Sequence, residues 1–163
     1  MRERLFKALS LILIAAGIVW LDQWSKILAL ETFTEALDRY EAFPFLNFVL
    51  RFNKGISYSF FNDLGGYSNL ILGVFNSLVL IFLTGWVFRI NKWPSTLSMA
   101  LVIGGGIGNI IDRIRHGAVI DFIDFHINNW HFAVFNIADS FITIGITCFV
   151  LMMYIEERRS RKC

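Results

Sequence analysis

Four stretches of this chain are long and apolar enough to cross a bilayer, and no other feature limits its fold as tightly. A hydrocarbon core of about 30 Å needs roughly 20 mostly apolar residues as helix. Ala8–Leu30 meets that length, interrupted only by Asp22 and Lys26 near its end. Tyr67–Phe88 and Ser95–Ile111 carry no charge, the second being closed by Asp112. A fourth stretch runs from about Phe132 to Ile155 with Asp139 as its only charged residue. The composition agrees with this. Residues of the AVILMFWYC set make up 56% of the 163 positions, and charged residues are 17%, against about 25% in soluble domains. So little polar surface cannot cover so much apolar side chain in water. A disordered chain and a disulfide-rich secreted scaffold are excluded as well. The net charge of +2 is too small to suggest a nucleic-acid partner.

Arg2, Arg4 and Lys7 ahead of Leu9–Leu21 have the pattern of a secretory signal peptide. Three further spans and no clear cleavage site before Asp22 favour a retained helix instead. Lys and Arg then set the orientation. Nine of them, Arg2, Arg4, Lys7, Arg89, Lys92, Arg158, Arg159, Arg161 and Lys162, fall in the two tails and the short loop between spans two and three. Arg39, Arg51, Lys54, Arg113 and Arg115 are spread over the longer segments on the other side. Both termini are therefore expected in the cytoplasm, with Glu31–Gly66 and Asp112–His131 facing outward. The expected fold is a mainly α membrane protein. It is a single domain, residues 1–163, with a four-transmembrane-helix bundle (spans about 8–30, 67–88, 95–111 and 132–155).

The first outer loop is more than a linker. Phe48, Leu50 and Phe52 alternate with Asn47, Val49, Arg51 and Asn53, which is the period of a half-buried strand. Gly55, Asn62-Asp63 and Gly65-Gly66 mark turns. A small extracytoplasmic β-sheet or hairpin is expected over about 40–62, lying at the outer membrane surface. Trp20, Trp24, Trp86, Trp93 and Trp130 fall near span ends, as an aromatic belt would.

Ionisable groups within membrane spans are expensive and tend to be functional. Asp139 lies three residues after Asn136, on the same helix face. One reading makes Asn136 a helix cap and Asp139 a favourable charge at the helix N-terminus; the other makes Asp139 chemical. Asp22 and Lys26, four apart, read as an intramembrane ion pair that fixes helix packing. Gly104, Gly105, Gly106 and Gly108 sit in a membrane helix, where close packing explains them better than a nucleotide loop. Arg113 can pair with an acid and hold it. Asp121 and Asp124 are set among Val119, Ile120, Phe122, Ile123 and Phe125, as in a segment pressed against a membrane. No H-E-x-x-H and no G-x-S-x-G is present, and His116, His126 and His131 are spread over a loop read as irregular. Carboxylates are left as the reactive groups. Two brought together share one proton, so that one acts as base and the other as acid. Asp139 is one natural member. Its partner is open among Asp22, Asp112, Asp121 and Asp124.

The ordered motifs resemble those of the lipoprotein signal peptidases, or signal peptidase II, over nearly the whole chain. Asp22-Gln23-Trp24-Ser25-Lys26 is similar to the family's D-x-x-S/T-K, and Phe52-Asn53-Lys54-Gly55 to its F-N-x-G. Gly108-Asn109-Ile110-Ile111-Asp112-Arg113 resembles G-N-x-x-D-R, Val119-Ile120-Asp121-Phe122 resembles V-x-D-F, and Phe135-Asn136-Ile137-Ala138-Asp139-Ser140 resembles F-N-x-A-D-S. The chain departs from the family at Ile56, Ser57 and Tyr58, where A-A-F is frequent, and at Ala133, where many members have Pro.

The resemblance implies an intramembrane aspartyl endopeptidase of the bacterial inner membrane, with Asp121 and Asp139 as the catalytic acids. Its substrate would be a diacylglyceryl-modified prolipoprotein, cut just before the lipidated cysteine. Asn53, Gly55, Asn109, Asp112, Arg113 and Asn136 would line or support the site, with Asp22 and Lys26 as further support. No metal or organic cofactor is implied. The expected partners are substrate and membrane lipid, and the expected working unit is a monomer. A proton-linked transporter using its membrane acids as a relay would give no reason for the Asn53 and Asn109 elements, and in a lipid-packed structural subunit single Asp→Asn changes would alter stability but no turnover.

Overall fold

In hydrocarbon a backbone must satisfy its own hydrogen bonds, and a helix does so within one segment. Four helices accordingly dominate the chain. The computed structural model describes residues 2–33, 39–55, 68–87, 89 and 93–161. In chain order the elements are α1 (Arg2–Thr32), β1 (Arg39–Phe43), β2 (Leu46–Asn53), α2 (Ser68–Val87), α3 (Trp93–His116), β3 (Val119–Ile127), β4 (Trp130–His131) and α4 (Ile137–Ser160). All four helices contain a segment long and apolar enough to cross a membrane.

α3 is the hub and packs on α1, α2 and α4. Lipid tails are as apolar as Leu, so helices in a membrane gain by close approach, which small side chains permit. The glycines of α3 turn to different neighbours. A Cβ on Gly104 would lie 2.9 Å from the Ala15 carbonyl oxygen of α1, and one on Gly105 would lie 2.5 Å from the Ala138 carbonyl oxygen of α4. A Cβ on Gly106 would meet Leu80 of α2 at 2.7 Å. The Ala138 contact is with backbone, so no side-chain rotation relieves it. Gly105→Ala is therefore expected to destabilise the bundle by about 1–3 kcal/mol in thermal unfolding in detergent. Gly17, with nothing within 4 Å of its Cβ position, is the control. Gly17→Ala should be neutral or stabilising by up to about 1 kcal/mol.

The buried face of α1 is a single stripe of Lys7, Leu11, Ala15, Ile18, Asp22, Lys26 and Ala29, continued just past the helix by Phe33, at helical spacings of three and four. Its two ends serve different cores. Leu11 and Ala15 pack with Val87, Met99, Ala100, Ile103 and Phe149, whereas Ala29 and Phe33 pack with Leu50, Ile120 and Phe122 of the sheet. Asp22 and Lys26 lie between these clusters, so the bundle has a polar layer with apolar packing on either side.

Several boundaries differ from those expected. α3 does not close at Asp112. It continues to His116 and ends at Gly117, whose φ of +68° and N–H bond to the Arg113 oxygen (3.1 Å) form a left-handed stop. The apolar run from Phe132 is not helical at its start. Phe135 is taken by the sheet, bridging Ile123, and α4 starts only at Ile137. The second outer segment is likewise no irregular loop. It supplies β3 and β4 to an antiparallel sheet ordered β1-β2-β3-β4, so His116 ends α3, His126 lies on β3 and His131 on β4. Trp20 stands well inside α1 rather than at its end, stacked on Trp24. Asn62-Asp63, Gly65-Gly66 and Ile56–Tyr58 lie outside the described residues.

One irregularity matters for the site. Phe48 pairs with Ile123 and Arg51 with Asp121, so Val49 and Leu50 together face the single residue Phe122. Such a bulge reverses the alternation beyond it. Arg51 and Asn53, not Phe52, thus share the face of Asp121, and Phe52 is left exposed.

Candidate active site

Asp121, on β3, and Asp139, in the first turn of α4, are joined through one side chain. Asn136 caps α4: its Oδ1 accepts the Asp139 N–H at 2.9 Å, and its own N–H donates to Asp139 Oδ2 at 3.2 Å. The same amide donates from Nδ2 to Asp121 Oδ1 at 2.7 Å. The capping role that the sequence allowed is thus real, and it coexists with a bridge between two acids. Asn53 Nδ2 donates to Asp121 Oδ2 at 2.8 Å, and Asn109 Nδ2 donates to Asp139 Oδ1 at 2.8 Å. Every oxygen of the pair thereby receives an N–H. The Gly55 N–H turns back onto Asn53 Oδ1 (2.7 Å), with Gly55 at φ +84°, where a side chain would be strained.

A second layer fixes these donors. Lys26 Nζ donates to Asp22 Oδ2 (2.7 Å) and Asn109 Oδ1 (3.0 Å) and is ion-paired with Asp112 Oδ2 (2.7 Å). Asn136 Nδ2 also reaches Asn109 Oδ1 at 3.1 Å. With that oxygen occupied by donors, the NH₂ of Asn109 must point at Asp139. The two acids held by Lys26 each grip a backbone amide. Asp22 Oδ1 accepts the Ala138 N–H at 2.9 Å, and Asp112 Oδ2 accepts the Ile120 N–H at 3.1 Å. Ala138 and Ile120 immediately precede Asp139 and Asp121. The ion-paired cluster therefore holds the backbone just before each member of the pair.

Of the acids left open by the sequence, Asp22 and Asp112 are committed to Lys26. Asp124 faces away from Asp121, being three residues on in a strand, and is bound by Asn47 and His131. Burial pushes the Asp121 carboxyl up to about 6, the charge of Asp139 adds to this, and hydrogen bonds from Asn53 and Asn136 with the charge of Lys26 oppose it. Arg113 feels the charges of Asp121, Asp112 and Asp139. A cleft of about 400 Å³ between α2 and α3, lined in part by Gly73, Val74, Ser77, Ile110 and Arg113, opens beside it.

The profile of a family described as signal peptidase (SPase) II matches residues 14–155. A lipoprotein signal peptidase of Coxiella burnetii (strain Dugway 5J108-111) is 41% identical over 147 residues, covering 89% of this chain and 88% of the relative. One of Burkholderia multivorans (strain ATCC 17616 / 249) is 42% identical, covering 88% and 85%. The chain belongs to the signal peptidase II family. A solved bacterial membrane enzyme, determined by the in meso method at 2.3 Å resolution, superimposes with a TM-score of 0.78 at 30% identity, over 91% of this chain and 89% of that one.

Some contacts in this signal peptidase II chain went unread in the sequence. Gln23 ties α1 to α3 by donating to Asp112 Oδ1 at 2.8 Å and to the Gly108 oxygen at 3.3 Å. It is the second residue of D-x-x-S/T-K, at an unspecified position. Ala138 offers a backbone N–H and space rather than a functional group, so no side-chain signal marks it. Asn47 and His131 belong to no motif.

Proposed function

We propose that this chain is an intramembrane aspartyl endopeptidase that removes the signal peptide from diacylglyceryl-modified prolipoproteins, cutting just before the lipidated cysteine. The observation that carries this is the single amide of Asn136 joining Asp121 and Asp139, with an N–H aimed at each of their oxygens. Two adjacent carboxyls do not both ionise easily. Asp121, whose carboxyl burial raises to about 6, is the member of the pair that enters the cycle protonated below that pH. Asp139 takes a proton from water as that water attacks the scissile carbonyl, and Asp121 protonates the carbonyl oxygen. The pair then returns a proton to the leaving nitrogen, and the peptide bond breaks. This chemistry needs no metal or organic cofactor. One chain suffices for it, because both acids and their supports belong to the same bundle.

Asn53, Gly55, Arg113 and the α2–α3 cleft are the surfaces on which the substrate would lie. The Lys and Arg distribution supports cytoplasmic termini, and so a site toward the extracytoplasmic face of a bacterial inner membrane. The substrate's own lipid keeps it in the bilayer, where a site at the ends of α3 and α4 can meet it.

The test is a gel-shift assay with purified protein in detergent and a lipidated prolipoprotein, beside the same protein without lipid. Cleavage of the lipidated form alone is expected. The raised Asp121 carboxyl keeps its proton below about pH 6 and loses it above, so kcat/KM should fall as pH rises through that value. A kcat/KM that keeps rising from pH 6 to 8 would remove Asp121 as the acid. A folded protein that cuts neither substrate would overturn the whole proposal.

A further inference from the structure

Asp124 is a buried acid that the proteolytic chemistry leaves unused. It is 5% exposed. His131 Nδ1 lies 2.8 Å from its Oδ1 and 3.0 Å from its Oδ2, and Asn47 Nδ2 donates to Oδ2 at 3.0 Å. Asn47 is 1% exposed, and its Oδ1 accepts no hydrogen bond among the described residues. Burial alone would raise the Asp124 carboxyl, but hydrogen bonds from His131 and Asn47 hold it below the usual carboxylate range. The group is an anion gripped by two strands.

Its place in the chain shows what it grips. The segment between Asp121 and Asn136 is a closed loop, because the Asn136 amide returns to Asp121. Near the closure, Phe135 exchanges backbone bonds with Ile123, N to O at 3.0 Å and O to N at 2.8 Å. Farther out, the return limb is β4, a two-residue exposed strand paired to His126 and Ile127, followed by one bond from the Phe132 N–H to the Phe125 oxygen at 2.8 Å. So short a strand is weak alone, and no proline stiffens Trp130–Asn136. The His131–Asp124 contact fastens this limb to β3, Asn47 carries the tie to β2, and the His131 ring lies on His126 with centroids 5.0 Å apart.

We propose that Asp124 is a positioning residue for catalysis: with His131 and Asn47 it locks the limb Trp130–Phe135 onto the sheet, and so sets where Asn136 places Asp139 against Asp121. The inference rests on the aspartyl-protease reading above for its kinetic consequence. Asp124 touches neither catalytic acid. It acts through the backbone that ends in the α4 cap.

Asp124→Asn, His131→Ala, His131→Gln and the Asp124→Asn/His131→Ala double variant would be purified as full chains in detergent. Two readouts separate the two proposals. The first is amide hydrogen exchange, which needs no activity. Exchange in Trp130–Asn136 should quicken at least about tenfold in Asp124→Asn and His131→Ala, with α1 and α3 unchanged. The second is cleavage of the lipidated substrate. Here kcat should fall roughly 10–100-fold with KM held within about twofold, because misplacement acts on the reacting geometry. The double variant should be no worse than the poorer single one, and His131→Gln, which keeps an N–H donor, should recover part of the loss. Unchanged exchange in the limb, faster exchange throughout the bundle, or multiplicative losses in the double variant would each overturn the positioning role. Wild-type protein that leaves the lipidated substrate uncut would overturn the aspartyl reading, while the exchange data still decide whether Asp124 holds the limb.

Discussion

Asp139→Asn and Asp121→Asn are each expected to lower kcat/KM on a diacylglyceryl-modified prolipoprotein by at least about 10³-fold, while the protein still inserts and unfolds as one unit. Loss of charge at one acid leaves no pair to share a proton. Water is then activated without an acid at the carbonyl oxygen, or not activated at all. The structural cost is smaller, because an amide can still accept at one oxygen. Its NH₂, however, must face a donor on the other side. That donor is Asn53 or Asn136 around residue 121, and Asn109 or the Asn136 N–H around residue 139. One unmet bond of this kind costs about 1–3 kcal/mol. At residue 121 the loss is partly offset. The raised carboxyl favours the protonated fold, and that advantage is lost as pH rises from the unfolded value of 3.8 to about 6. Above pH 6 the neutral Asp121→Asn variant should therefore lie closer to wild type in stability than the Asp139→Asn variant does. Thermal unfolding at pH 8 alongside the cleavage assay checks both statements. Cleavage within tenfold of wild type by either variant would remove that residue from the chemistry.

The spans were legible because hydrocarbon demands apolar residues at every outward position, and the exposed faces of α1, α2 and α4 carry them. The boundaries were less legible. Phe132–Phe135 has the composition of a span, but its backbone pairs with β3, and composition does not record which backbone groups already have partners. The sheet was half visible. β2 alternates, yet the bulge at Val49 and Leu50 shifts Asn53 onto the face of Asp121, and an extra residue in a strand leaves no mark in an alternation read from one chain. β3 hid because it is buried on both faces over Val119–Phe122, so its apolar residues run on without a period. Within the site, Asp22 and Lys26 announced themselves by spacing. Asp112 gave no sign that its partner was Lys26 on another helix, and Asn136 gave no sign that one amide would both cap α4 and bridge two acids. Spacing within a helix is written in the sequence; contacts between elements depend on packing.

Lys26→Met should be the most damaging single change away from the acids themselves. Lys26 is buried, ion-paired with Asp22 and Asp112, and donates to Asn109. Removing a cation from a buried pair leaves uncompensated charge and costs about 3–5 kcal/mol. Here two acids are left facing each other, and at least one must take a proton or move. Either response loosens a grip on backbone, since Asp22 holds the Ala138 N–H and Asp112 holds the Ile120 N–H. Asn109 also loses the bond that orients its amide toward Asp139. Cleavage should therefore fall by at least about 100-fold, together with the midpoint of thermal unfolding. A triple variant separates these effects. Adding Asp22→Asn and Asp112→Asn to Lys26→Met removes every charge of the cluster. The triple variant leaves no uncompensated charge in the cluster, which is the source of the cost of a broken buried pair, so it should regain most of the lost stability. It should not regain activity, because Asn109 still lacks its cation and the two backbone grips are weaker than those of carboxylates. If activity returned with stability, the cluster would be a structural plug between two apolar cores. If stability returned alone, the cluster sets the geometry of Asp121 and Asp139, one backbone amide ahead of each.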